Sequence, residues 1–206
     1  MTDSRECVFV VDDEPAVRRA LSRLLGAAGF NVFDFASPEE FLRHLPPDAE
    51  GCATLDVHMP GLDGFAVQRE LAVRGISLPI VFLTGHGDIP KSVRAIKDGA
   101  VDFLTKPVDA DQLIRAVRQA LDADRAQRTA SAEIVEIRRR LETLTARERQ
   151  VLDGVVEGRL NKQIGGELGI AEKTVKVHRG RVMEKMAAGS LAELVHLAGL
   201  AGIRRP

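Results

Sequence analysis

CVFVVDDEP, residues 7–15, joins a run of five apolar residues to an acidic pair and a proline. The run is short, continuous and rich in valine, as a strand buried on both faces of a sheet should be. Pro15 suits the first turn of a helix, and beyond it Val17, Leu21, Leu24, Leu25 and Ala28 share one helical face. Similar apolar runs return as NVFDF, CATL, PIVFLT and VDFLT, separated by amphipathic stretches. One of these stretches, SPEEFLRHL, offers Ser37 as N-cap, Pro38 at the first helical position and Glu40 at the third. Five strands alternating with five helices predict an α/β domain with a parallel, doubly wound sheet of flavodoxin-like order 2-1-3-4-5.

A chain of 206 residues with 45% hydrophobic content can bury a substantial core, in one large domain or two small ones. Charge favours two: up to Asp124 there are 13 Lys and Arg against 20 Asp and Glu, and from Arg125 onward 16 against 10. An acidic first part joined to a basic second part implies that only the second meets a polyanion. Cys7 and Cys52 match no metal-ligand spacing and form no disulfide framework, which points to a reducing compartment. No apolar stretch approaches the roughly 20 residues of a membrane span, and the first residues lack a signal peptide's apolar middle. A soluble, cytoplasmic protein with no membrane partner is expected.

In an open parallel sheet, ligands sit beyond the carboxyl ends of the strands, where strand order reverses. Asp12 and Asp13 end the first strand, Asp56 the third and Thr84 the fourth, while Lys106 follows the fifth. The predicted order makes the first and third strands neighbours, so all five residues rim one cleft. Two carboxylates about 4 Å apart repel by about 4 kcal/mol at an effective dielectric near 20. A cluster of three therefore takes up protons or binds a cation, and an oxygen-only donor set selects Mg2+. With its charge shared, Asp56 can approach a phosphoryl group and attack phosphorus, Lys106 can neutralise the equatorial oxygens, and Thr84 can hydrogen-bond the product.

Singly, each residue has a plainer use: Asp12 and Asp13 as helix caps, Asp56 as the opening of the Met-Pro-Gly turn, Lys106 as a solvated charge, Thr84 as a strand former. Their coincidence at successive strand ends argues for a site. His58 and His86 lack partners at zinc-ligand spacing and suit a place beside the phosphoryl group, where they would influence its hydrolysis. GHGDIP lacks the third glycine of a dinucleotide fingerprint and does not follow the first strand, no phosphate-binding loop with Gly-Lys-Ser/Thr occurs, and the adjacent Asp12 and Asp13 do not make a phosphatase-like Asp-x-Asp.

VVDDE, LDVHMPGLDG, FLTGHGD and VDFLTKP resemble the ordered signatures of a two-component response-regulator receiver domain, over residues 5–124. The resemblance implies that Asp56 is the phosphoacceptor and that Asp12, Asp13 and the backbone carbonyl of His58 complete the Mg2+ site. Thr84 and Phe103 would be the switch pair, and Lys106, before Pro107 in a cis peptide, the phosphate-contacting lysine. The donor would be the phosphohistidine of a sensor histidine kinase, which makes the chain a switch and not an enzyme. Phosphorylation would draw Thr84 toward the phosphoryl group, let Phe103 turn inward and repack the face between residues 88 and 122 into a dimer surface.

After Pro107 only helical patterns follow. DADQLIRAVRQALDADRAQR begins as an amphipathic helix, and ASAEIVEIRRRLETL places Ile134, Ile137, Leu141 and Leu144 at helical spacing. Residues 125–142 are read as a linker, either one long signalling helix or a solvated connection. LTARERQVL carries a capping box, Thr145 with Glu148, and Gly158 ends its helix. Asn161 can cap KQIGGELG, Gly169 breaks it, and AEKTVKVHRGRVMEKM forms a longer helix with Val175, Val182 and Met186 on one face. A short helix, a glycine turn and a longer basic helix make a helix-turn-helix. Lys173, Lys176, Arg179, Arg181 and Lys185 supply a phosphate footprint. SLAELVHLAGLAGI reads as a final apolar helix that packs this module or pairs two copies.

Residues 143–203, within a domain placed at 143–206, resemble the LuxR-type output domain, an all-α bundle of four helices, through LTARERQVL, NKQIGGELGIAEKTVKVH and ELVHLA. In that family the positions of Lys176, Val177 and Gly180 face base edges, and those of Lys173, Thr174 and Arg179 lie near the backbone. Gly180 departs from members with a long basic residue there. The whole chain resembles a FixJ-type transcriptional regulator; the alternative readings are a module whose helical tail binds an acidic protein, and a metal-dependent phosphatase. The family implies an activator that binds double-stranded DNA as a phosphorylation-promoted homodimer and engages RNA polymerase.

Overall fold

The computed structural model describes residues 6–85 and 100–203. The chain divides into two compact units, Met1–Gln127 and Arg128–Pro206. In the first, β1 (Cys7–Val11), β2 (Asn31–Phe35), β3 (Cys52–Asp56), β4 (Ile80–Thr84) and β5 (Asp102–Thr105) form one parallel sheet in the order β2-β1-β3-β4-β5. The predicted order is observed. Helices α1 (Pro15–Ala27), α2 (Pro38–His44) and α3 (Gly64–Val73) follow the first three strands. The helix expected between the fourth and fifth strands, together with His86, lies outside the described residues.

Period-two alternation explains why the strands read as continuous apolar runs. Val8, Val10, Cys52, Val81, Leu83 and Leu104 point to one face, against Leu21 and Leu25 of α1. Phe9, Val11, Ala53, Leu55, Ile80 and Phe82 point to the other, against Phe41 and Leu42 of α2 and Val67 and Leu71 of α3. Both faces being covered, polar interruptions would bury unsatisfied groups. Local signals set the boundaries. The Ser37 hydroxyl accepts the Glu40 N–H at 3.2 Å, and the Glu40 carboxylate accepts the Ala36 N–H at 3.0 Å. Asp63 caps α3 by accepting the Ala66 N–H at 2.6 Å.

The stretch that sequence left open between helix and solvated linker is helical: α4 runs over Ala110–Glu142, 33 residues. Its early residues Leu113, Ala116, Val117, Ala120 and Leu121 pack on the sheet, and Ile137 and Leu141 belong to the core of the second unit. That core also takes Val151, Leu152, Val155 and Val156 from α5 (Ala146–Val156), Ile164 from α6 (Asn161–Leu168), Val175 and Val182 from α7 (Glu172–Lys185), and Leu194, Leu197 and Ala198 from α8 (Leu191–Leu200). No helix among the described residues is long and apolar enough to cross a membrane.

Two details of the second unit differ from the sequence reading. The N-cap of α6 is Leu160, because the Gln163 side chain accepts the Leu160 N–H at 2.7 Å, and Asn161 falls in the first helical turn. Lys185 belongs to the fold instead of a phosphate footprint: its Nζ donates to Glu148 at 2.7 Å and to the Thr143 carbonyl at 2.9 Å.

Glu148 is 2% exposed and also closes the capping box with Thr145 at 2.9 and 3.3 Å. The Lys185 ammonium, seconded by the Thr145 backbone, pushes its carboxyl from 4.5 down to about 2. A carboxylate whose folded pKa is depressed stabilises the fold fully above its unfolded pKa, and that stabilisation is lost as pH falls through the folded one. The denaturation midpoint of the wild type should therefore exceed that of Glu148→Gln above pH 4.5, with the gap closing toward about 2. A gap independent of pH across that window would contradict the ion pair's role.

Candidate functional site

The β1–α1 turn, the end of β3 and the residue after β5 bring together the acidic and basic groups expected there. Asp12 (0% exposed) and Asp56 (4%) are buried, Asp13 is half-buried, and one carboxylate oxygen of each lies within 4.8 Å of the others. Lys106 Nζ donates to Asp12 Oδ2 at 2.7 Å and to Asp56 Oδ2 at 2.5 Å, and stands 3.9 Å from Glu14. The Lys106 N–H donates to the Thr84 carbonyl at 2.7 Å, fixing the lysine beside the end of β4, and the Lys106–Pro107 peptide is cis.

Asp56 serves two purposes at once. Its Oδ1 accepts the His58 N–H at 3.2 Å, ordering the turn, while Oδ2 faces Lys106. Asp12 likewise accepts the Glu14 N–H at 3.0 Å on Oδ1. Neither Asp12 nor Asp13 is the cap of α1, whose N-cap is Glu14. Gly64 explains how the turn returns so closely: a Cβ there would sit 2.5 Å from the Asp56 carbonyl oxygen. The Gly64 N–H donates to the Val57 carbonyl at 3.1 Å, so glycine lets α3 start against the end of β3.

Burial raises the Asp12 pKa, opposed by the Lys106 hydrogen bond and charge and aided by the Asp56 charge. For Lys106, burial pulls downward, but hydrogen bonds to Asp12 and Asp56 outweigh it and the ammonium is held above its ordinary value. The pocket thus keeps its lysine charged and its acidic oxygens crowded. Thr84, fully buried, is the last residue of β4 and pairs in register with Thr105. Phe103 pairs in register with Phe82, and its half-buried ring lies 6.2 Å from that of Phe82, which in turn is 5.0 Å from Phe65. The His58 side chain is exposed.

In the second unit, Gly169 adopts φ +65° at the C-cap of α6 and lets the chain turn directly into α7. Val175 and Val182 face inward, which leaves Lys173, Thr174, Lys176, Val177, Gly180 and Arg181 exposed on α7. Val177 is 49% exposed, an apolar side chain on an otherwise polar face. Lys176 stands 3.5 Å from Glu172, and half-buried Arg179 donates to Asn161 Oδ1 at 3.2 Å. Sequence reasoning missed that last contact, and it also missed Arg18, whose Nη1 donates to the Asp12 carbonyl at 2.6 Å. The only signal for Arg18 was its place one turn into the helix after the acidic pair.

Residues 8–118 match the response regulator receiver domain family, and residues 142–198 match the bacterial regulatory proteins of the luxR family. Nodulation protein W of Bradyrhizobium diazoefficiens is 46% identical over 97% of this chain and 88% of its own length. Transcriptional regulatory protein FixJ of the same organism is 42% identical over 95% of this chain and 96% of its own. Among solved structures, response regulator StyR superposes with a TM-score of 0.81 at 46% identity, covering 95% of this chain and 99% of that one.

Proposed function

Because the chain belongs to the two-component response regulators that join a receiver domain to a LuxR-type DNA-binding domain, we propose that it is a transcription factor switched by phosphorylation of Asp56. The observation that carries this reading is the convergence of Asp12, Asp13 and Asp56 within 4.8 Å under a lysine that clamps two of them. The donor is the phosphohistidine of a sensor histidine kinase. A carboxylate oxygen of Asp56 bonds to phosphorus as the phosphorus–nitrogen bond breaks and the imidazole leaves. Lys106 stays charged and moves from the carboxylates to the transferred phosphoryl oxygens.

An all-oxygen donor set with one half-buried carboxylate suits a hard ion that retains waters. Mg2+ would be held by Asp12, Asp13, Asp56 and the His58 backbone carbonyl, and would supply charge neutralisation to the phosphoryl oxygens. Thr84 then donates its hydroxyl to the phosphoryl group, and Phe103 moves with it, favouring a homodimer. Part of the face assigned to that dimer, residues 88–99, lies outside the described residues. The cycle ends in stoichiometric labelling, without turnover of an external substrate. The protein acts in the cytoplasm as an activator, on double-stranded DNA and with RNA polymerase.

On α7, Lys176, Val177 and Gly180 face base edges, with Val177 suited to a thymine methyl, and Lys173, Thr174 and Arg179 contact phosphates. Lys176→Ala should cost about 1–3 kcal/mol on a specific site and little on random duplex. Lys173→Ala should weaken both alike and reduce the salt slope by about one. Equal losses of selectivity from the two variants, in salt-titrated binding, would overturn these assignments.

The full chain, treated with a small-molecule phosphodonor and Mg2+ and titrated with duplexes selected from a random pool, tests the function. Phosphodonor-dependent dimerisation with at least about tenfold tighter, salt-dependent binding is expected. Absence of duplex binding at low salt would favour the protein-interaction alternative, and release of many equivalents of phosphate would favour the phosphatase.

A further inference from the structure

We propose that Arg18 is a positioning residue which sets the affinity of the acidic pocket for its divalent cation by clamping the turn that carries Asp12 and Asp13. The proposal deepens the reading of that pocket as a metal site and rests on it. The β1 ladder ends at Val11, paired with Phe35 and Leu55. Asp12, one residue beyond, keeps only a long backbone bond from its N–H to the Phe35 carbonyl, 3.3 Å. Its own carbonyl points to α1, where Arg18 Nη1 donates to it at 2.6 Å. A charge-assisted bond of this length is among the strong ones, and the Arg18 side chain is only 16% exposed.

The guanidinium is itself held. Its Nε lies 3.3 Å from Asp34 Oδ2 on β2, so the planar fork spans from the turn to the neighbouring strand. A lysine offers one point of charge and cannot span both. Besides the long bond from its N–H, Asp12 is therefore fastened at the carbonyl by Arg18, at Oδ1 by the Glu14 N–H and at Oδ2 by Lys106. The last two act on the carboxylate, which a cation would rearrange. On the backbone, Arg18 makes the shorter of two bonds, 2.6 Å against 3.3 Å for the Asp12 N–H to Phe35, and through it holds the placement of Asp13, the most exposed of the three carboxylates.

Electrostatics and positioning predict opposite signs for removing Arg18. A neighbouring positive charge repels a cation, so as a mere charge its loss should tighten Mg2+ binding. As a clamp, its loss lets the turn rotate and Asp13 drift from Asp56, so binding should weaken. Partners that orient metal ligands are typically worth a factor of about 10 or more in affinity.

Mg2+ is titrated calorimetrically into the unphosphorylated full chain, with thermal melts recorded in the absence of the metal. Arg18→Met is expected to bind Mg2+ about tenfold more weakly than wild type, with Arg18→Lys in between. Asp34→Asn, which frees the guanidinium from the edge strand and leaves the pocket untouched, should weaken binding by about threefold. Equal or tighter binding by folded Arg18→Met overturns the proposal. Should Arg18→Met not fold, wild-type affinity in Asp34→Asn overturns it instead. A folded wild type that binds no Mg2+ overturns the metal site itself, and the clamp with it.

Discussion

Asp56→Asn should leave the chain folded and abolish phosphoryl incorporation, a loss of at least about 1,000-fold in labelling by a small-molecule phosphodonor. The amide is nearly isosteric with the carboxylate and can still accept the His58 N–H that orders the turn. It also relieves repulsion with Asp12, so the variant need not be less stable. What it lacks is the nucleophile: an amide oxygen does not form a stable acyl phosphate. Dimerisation and tightened DNA binding driven by the phosphodonor should vanish with it. A variant that dimerises as fully as wild type under the same treatment would show that the switch runs through another residue.

The second large effect is expected at Lys106. Its ammonium bridges Asp12 and Asp56, and burial alone already raises the Asp12 pKa. Two carboxylates at about 4 Å repel by about 4 kcal/mol at an effective dielectric of 20, and Lys106 offsets this in the resting pocket. Phosphoryl transfer to Asp56, as proposed, would need the same charge on the phosphoryl oxygens. Lys106→Met should therefore slow phosphoryl acceptance by about 100-fold, a loss in the range of removing one electrostatic stabiliser. Mg2+ affinity should not fall, since a competing cation has been removed from the carboxylates. Arg at this position keeps the charge but not its compact form, and should recover part of the rate. Full-rate labelling of Lys106→Met would contradict the assigned role, and so would a loss explained entirely by weaker Mg2+ binding.

The sheet was legible because its three central strands, β1, β3 and β4, are buried on both faces. CVFVV, CATL and IVFLT cannot sit elsewhere without exposing apolar surface, and their alternation with helices dictates parallel pairing. Strand order alone then brings residues 12, 13, 56 and 106 to one edge. The sequence was silent where long side chains choose among partners. Lys185 could have faced a phosphate, and only the position of buried Glu148 explains why it turns inward. Asn161 is a good cap by type, yet Gln163 two residues on reaches the backbone of Leu160 first and frees Asn161 for Arg179. Arg18 to Asp12 is a side-chain-to-carbonyl bond that no residue pattern announces. Gly64, by contrast, closes the LDVHMPGLDG signature, and only the close approach of the Asp56 carbonyl reveals its necessity.

The central claim is that Asp56 receives the phosphoryl group. Borohydride reduces an acyl phosphate to the alcohol, which converts a phosphorylated aspartate into homoserine and marks the position in the chain. Peptide mass mapping of the full chain, after phosphodonor and Mg2+ and then borohydride, should find homoserine at position 56 and none in samples lacking the phosphodonor. Homoserine at position 12 or 13, with aspartate intact at 56, would contradict the account.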